Sequence, residues 1–148
     1  MSIQIFVDAD ACPVKDEAAR VATRYGVPVT FVSNNGLRPI VGPTVQQVVV
    51  AAGADAADDW IVERAAAGDI VVTADIPLAA RCLEKGCRVL NPTGEAFTAD
   101  TIGSALAMRD LNAYLRDAGE IKGANPSFSK KDRSRFLQAL DLALQRAR

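Results

Sequence analysis

The strongest constraint on the fold is an alternation that runs through residues 3–95. Five short apolar runs, at 3–7, 27–33, 45–51, 70–73 and 87–90, are separated by stretches of helical character, except for a polar and proline-containing stretch at 34–44. Antiparallel neighbours can be joined by a tight turn, whereas parallel strands need a crossover of about a dozen residues or more. The spacing therefore predicts an α/β domain of three layers, with a central, mostly parallel five-stranded sheet flanked by helices.

Local punctuation places the elements. Pro13 suits the first turn of a helix that runs to about Arg24, and Gly26 stops it. Asn34-Asn35-Gly36 is a turn, and 37–44, with two prolines and a glycine, is an exposed loop. Helices are expected over 55–67 and, with Pro77 in the first turn, over 76–85. Past Leu90 the strand signals stop. A helix from Thr98 or Asp100 to 118, a polar linker over 119–128 and a last helix over 129–148 complete the chain. The expectation is one domain, with an α/β core at 1–95 and a helical C-terminal segment appended at 96–148.

Composition restricts the chemistry. The 148 residues are 49% hydrophobic, enough for one sizeable core. There is no histidine, which excludes a Ser-His-Asp or Cys-His centre, a histidine general base and most zinc sites. Cys12, Cys82 and Cys87 are odd in number and lack CxxC spacing, so neither a disulfide framework nor a zinc knuckle is indicated. Cys12 reads as a small packed residue, and the other two as core. No basic leader precedes the first strand, and no window approaches the ~20 apolar residues of a membrane span. The expected setting is a reducing cytoplasm, without a membrane partner. Net charge is −1, so no chain-wide field attracts nucleic acid. The charges are nevertheless segregated: residues 1–108 carry 8 basic and 13 acidic side chains, residues 109–148 carry 9 and 5.

The acidic residues fall where βα proteins place their chemistry, just beyond the carboxyl ends of strands. Asp8-Ala9-Asp10 follows the first strand, Asp55-Ala-Ala-Asp58-Asp59 the third, and Asp75 the fourth. Extended backbone sends Asp8 and Asp10 to the same side. Each cluster has a simpler explanation to set against a site. Asp55 and Asp58 fit a helix cap with an acidic third position, Asp75 fits the cap of the helix at Pro77, and Asp10 that of the helix near Pro13. Asp8, after a run that is apolar but for Gln4, has no comparable structural reason. Converging carboxylates repel unless they take up protons or a cation. A hard ion, Mg²⁺ or Mn²⁺, relieves that repulsion and supplies what the missing histidine cannot, an activated water and charge stabilisation for phosphoryl transfer. What favours a metal site over separate caps is recurrence, since three of the strands end in acid. Asp59 is a weaker supporting candidate, and Glu63 a solvated or ion-paired residue.

The strings VDADACPVK (7–15), AGADAADDWIV (52–62), GDIVVTADIPLA (68–79) and VLNPTGE (89–95), with MRDLNAYLRDAG (108–119) and SKKDRSRF (129–136), resemble the YaiI/YqxD family over essentially the whole chain. That family is regarded as distantly related to PIN and NYN nuclease domains. The resemblance implies a PIN-like fold with an acidic metal pocket at the strand ends, whose ligands would be Asp8, Asp10, Asp55, Asp58 and Asp75, with Asp8, Asp10, Asp58 and Asp75 also catalytic. Two positions depart from the family pattern: Thr93 stands where arginine is usual, and 122–126 replaces a glycine-rich linker.

Substrate contacts are expected from polar residues on the same sheet edge, Asn34, Arg38 and Asn91, although turns account for the asparagines too. Lys130, Lys131, Arg133 and Arg135 open the last helix, and most read as a solvated face. Arg133, in the DR unit of the family motif, is expected either to pair with an acid of the body or to reach the pocket. The reading that follows is a metal-dependent nuclease acting on single-stranded RNA or another nucleic acid, with a homodimer as one assembly. Two alternatives stay open: a phosphatase of the haloacid-dehalogenase type using Asp8 and Asp10 as its DxD pair, and a non-catalytic metal- or RNA-binding protein.

Overall fold

A computed structural model describes residues 3–10, 12–36, 38–51, 53, 55–117 and 128–147. The elements run β1 (Ile5–Asp8), α1 (Lys15–Tyr25), β2 (Val29–Ser33), β3 (Val45–Val49), α2 (Ala56–Arg64), β4 (Ile70–Val72), α3 (Ile76–Glu84), β5 (Arg88–Leu90), β6 (Ala96–Phe97), α4 (Ala99–Asp117) and α5 (Lys130–Ala147). The polar linker expected over 119–128 lies, up to residue 127, outside the described residues.

One sheet orders its strands β3-β2-β1-β4-β5-β6. Every pair is parallel except β5 with β6, which is antiparallel. The α/β class and the mostly parallel sheet are as the alternation predicts, and the sheet has one strand more. Two residues are too short to leave a periodic signal, and β6 exists because the 91–95 turn folds the chain back beside Val89 and Leu90. In that turn Asn91 Oδ1 accepts from the Thr93 and Glu95 N–H groups and from the Thr93 hydroxyl.

Strand alternation divides the apolar residues between two cores. Ile5, Val7, Ile70, Val72 and Leu90 face α1 and α5, whereas Phe6, Val71 and Val89 face α2 and α3. Burying each large side chain contributes about 1.5–3 kcal/mol. The last helix is more than an added segment: its Phe136, Leu140, Ala143 and Leu144 are buried in the first core. Ser129 and Asp132 start that helix as a reciprocal cap, each side chain accepting from the other's backbone N–H at 3.1 and 3.0 Å. This explains the acid that interrupts the basic cluster. Cys82 and Cys87 are buried, as core residues should be.

Candidate functional site

The strand order reverses between β1 and β4, which are neighbours in space although 65 residues apart. In an open α/β sheet the crevice beyond the carboxyl ends at such a point is the natural place for a ligand. Pairing Val7 with Val72 brings the next residues, Asp8 and Thr73, side by side, and the Thr73 hydroxyl donates to Asp8 Oδ2 at 2.9 Å. The same hydroxyl accepts from the Asp75 N–H at 2.9 Å, while Asp75 Oδ1 caps α3 by accepting from the Leu78 N–H. On the other side β1 pairs with β2, and two residues beyond the last pair Asp10 Oδ2 accepts from the Asn34 N–H at 2.8 Å. Asp10 is therefore bonded across the sheet edge rather than to α1, whose N-cap is Val14. The first turn of α2 supplies Asp58.

These side chains line one cavity of about 300 Å³, formed by Asp8, Asp10, Asp58 and Asp75 with Cys12 and Asn34 among its other walls. The charges feel one another. Burial raises the Asp8 carboxyl above its ordinary value, the Thr73 hydrogen bond pulls it partly back, and the Asp75 and Asp10 charges raise it again. Asp58 is pushed up to about 6, first by burial and then by Asp75, Asp8 and Asp55, against the lowering effect of Arg81.

Asp55 is the N-cap of α2, but its exposed side chain makes no capping hydrogen bond and lies outside the cavity lining. Asp59 pairs with Arg81 at 2.9 Å, and Glu63 with Arg64 at 3.5 Å, both away from the cavity. Of the expected substrate contacts, Asn34 lines the cavity and Arg38 lines a neighbouring cleft. Asn91 spends its amide oxygen on the turn already described. Arg133 takes the first of its two expected roles: Nη1 meets Glu17 Oε2 at 3.1 Å and the Pro13 carbonyl at 2.8 Å, so it braces the β1–α1 loop from behind. Thr93, the departure from the family pattern, is taken up in the turn of Asn91.

Two residues of the site were not singled out from sequence. Thr73 is 1% exposed at a strand end, where a hydroxyl must find partners; that was the available signal. Lys15 donates to the Cys12 carbonyl at 2.7 Å and the Ala9 carbonyl at 3.5 Å, tying down the loop that carries Asp10 and Cys12. No sequence signal marks a lysine for backbone carbonyls.

The donors suit a hard cation. All are oxygens, four carboxylates and an amide. Asn34 Nδ2 donates to the Gly53 carbonyl at 3.3 Å, which fixes the amide's orientation, and Oδ1 is left buried without a hydrogen-bond partner. Among the described residues no three acidic or thiol side chains close tightly enough to grip one ion directly. The cavity has room for an ion with several waters, at about 30 Å³ each, and Mg²⁺ characteristically keeps such waters.

A family model described as "Uncharacterized BCR, YaiI/YqxD family" matches residues 6–146. The chain belongs to the YaiI/YqxD family. A UPF0178 protein of Mesorhizobium japonicum is 63% identical over 143 residues, spanning 97% of this chain and 92% of that protein. UPF0178 proteins of Parvibaculum lavamentivorans and Agrobacterium fabrum are 61% and 59% identical over 145 residues, each spanning 98% of this chain and 95% of the relative. No solved structure matches. In this YaiI/YqxD member the stretches 7–15 and 68–79 supply Asp8, Asp10, Thr73 and Asp75, and no helix among the described residues is long and apolar enough to cross a membrane.

Proposed function

We propose that this protein is a divalent-metal-dependent nuclease that hydrolyses phosphodiester bonds of single-stranded RNA at the carboxylate cavity. One observation carries the reading: Asp8, Asp10, Asp58 and Asp75, from three separate stretches of chain, line a single cavity at the strand-order reversal. A bound Mg²⁺ or Mn²⁺ would neutralise these charges, make water a better nucleophile and stabilise charge on the transferring phosphoryl group. The chain's own groups do the rest. Thr73 fixes the orientation of Asp8 through one hydrogen bond, as supporting partners of ligating carboxylates do. Asp10 and Asp75 each commit one oxygen to a backbone N–H, which leaves the other for the ion. Asp58 makes no hydrogen bond among the described residues and is pushed up to about 6, so it is suited to accept a proton from water near neutral pH. By analogy with PIN nucleases the product carries a 5′-phosphate.

The aspartyl-phosphatase alternative has less behind it. Its chemistry wants a lysine at the reacting phosphate, and Lys15 lines the neighbouring cleft rather than the carboxylate cavity. The deciding assay incubates labelled single-stranded RNA and DNA with wild type, Asp8→Asn and Asp75→Asn, with and without Mn²⁺. Mn²⁺-dependent RNA cleavage lost in both folded variants supports the proposal. Equal cleavage by all three proteins, or a phosphate trapped covalently on Asp8, rejects it.

A further inference from the structure

A second cleft, of about 590 Å³, adjoins the acidic cavity and shares Cys12 with it. Pro13, Lys15, Asp16, Arg38, Pro39 and Ile40 form most of its wall. Its electrostatic character is opposite. The acidic cavity holds four carboxylates, whereas here two cations face the single carboxylate of Asp16. The Arg38 guanidinium makes no hydrogen bond or ion pair among the described residues, and its side chain is exposed. Lys15 is anchored by carbonyl oxygens, which leave its positive charge in place.

The loop that carries Arg38 is held in position. The Gln47 side chain of edge strand β3 donates from Nε2 to the Arg38 carbonyl at 3.0 Å and accepts at Oε1 from the Ile40 N–H at 3.2 Å. One amide thus staples both sides of Pro39 to the sheet. Pro13, Pro39 and Ile40 add an apolar wall beside the cations, of a kind that suits a sugar or base next to a phosphate.

We infer that this cleft binds the polynucleotide backbone adjacent to the bond under attack, with Arg38 contacting a phosphate and Lys15 supporting it. The inference rests on the nuclease reading and gives its substrate a path, from the carboxylate cavity across Cys12 to Arg38. A polyanion is repelled by four carboxylates, and cations immediately beside them offset that repulsion and set its position.

The test measures binding of fluorescein-labelled single-stranded RNA by anisotropy across a salt series, without divalent metal, for wild type, Arg38→Gln, Arg38→Lys and Arg135→Gln. Arg135, exposed on α5, controls for loss of one charge. Removal of one phosphate contact lowers the slope of log affinity against log salt by about 0.7. That drop is expected for Arg38→Gln alone, with recovery in Arg38→Lys. A slope in Arg38→Gln equal to that of wild type, an equal drop in Arg135→Gln, or displacement by equimolar inorganic phosphate overturns the inference. Calorimetric titration of the same proteins with Mn²⁺ separates the two ideas. Mn²⁺ binding with RNA indifferent to Arg38 defeats the cleft alone, whereas no Mn²⁺ binding by wild type defeats the nuclease reading beneath it.

Discussion

Thr73 joins Asp8 to Asp75 through a single hydroxyl, donating to the carboxylate of one and accepting from the backbone N–H of the other, both at 2.9 Å. Asp8 ends β1 and Asp75 follows β4, strands that are neighbours only in the folded sheet, and this 1%-exposed hydroxyl sets their relative position.

Thr73→Val keeps the shape and removes both hydrogen bonds. It leaves Asp8 and the Asp75 N–H without partners, which costs about 1–3 kcal/mol. Loss of a supporting partner also weakens metal binding by about 10–100-fold. Urea unfolding and Mn²⁺ titration measure the two effects, and Thr73→Ser restores both. A Thr73→Val protein that binds Mn²⁺ like wild type removes the hydroxyl from the site.

Acid should stabilise this cavity in the absence of metal. Asp58 titrates at about 6 when folded against an ordinary 3.8, and Asp8 is shifted the same way. The folded state then holds more protons than the unfolded chain between 3.8 and about 6, so the contribution of these groups to stability falls as pH rises through that window and stays low above it. Urea midpoints of Asp58→Asn should decline less over this range than those of wild type. An Mg²⁺ ion held as proposed would compete with those protons, so its gain in Tm should be larger near neutral pH than near pH 5. An equal gain at both places the ion elsewhere.

Gly94 sits at φ 91°, and a Cβ there would stand 2.6 Å from the Arg135 carbonyl oxygen and 2.9 Å from the Phe136 nitrogen. Gly94→Ala combines left-handed strain with a collision against the backbone of α5, for a loss of more than about 2 kcal/mol. Gly103→Ala, in α4 with nothing within 4 Å, gains up to about 1 kcal/mol from helix propensity. Chemical denaturation of the pair checks the contrast, and a neutral Gly94→Ala refutes the close approach.

Arg133 covers Glu17, whose side chain is only 11% exposed. Arg133→Met strands that carboxylate and costs about 1–3 kcal/mol. Much of that loss should vanish when Glu17→Gln is already present, and a double-mutant cycle should show a coupling of at least about 0.5 kcal/mol. Additive losses would mean the ion pair is incidental.

Part of the site is legible in the sequence. Asp8 and Asp75 stand directly after apolar runs, and chain direction alone sends successive parallel strands out at one edge. Asp55 and Asp58 were not separable, since cap and first turn differ by a rotation that depends on how α2 packs. The sequence does not choose between the two roles of Arg133, because Glu17 reads as an ordinary acidic first-turn residue. β6 escaped notice through brevity. The burial of α5 is masked because its first two turns carry Lys130, Lys131, Arg133 and Arg135, with the apolar stripe beginning only at Phe136.

By itself, the chain's order of residues determined the succession of the five parallel strands and of the helices and which of them end in acid, because periodicity, capping and turn chemistry act over a few residues. Only the tertiary structure decided that β1 lies beside β4, that Asp58 rather than Asp55 enters the cavity, and that Thr73 binds Asp8 across 65 residues of chain. Those outcomes follow from strand pairing and the burial of whole faces, which no local stretch of sequence specifies.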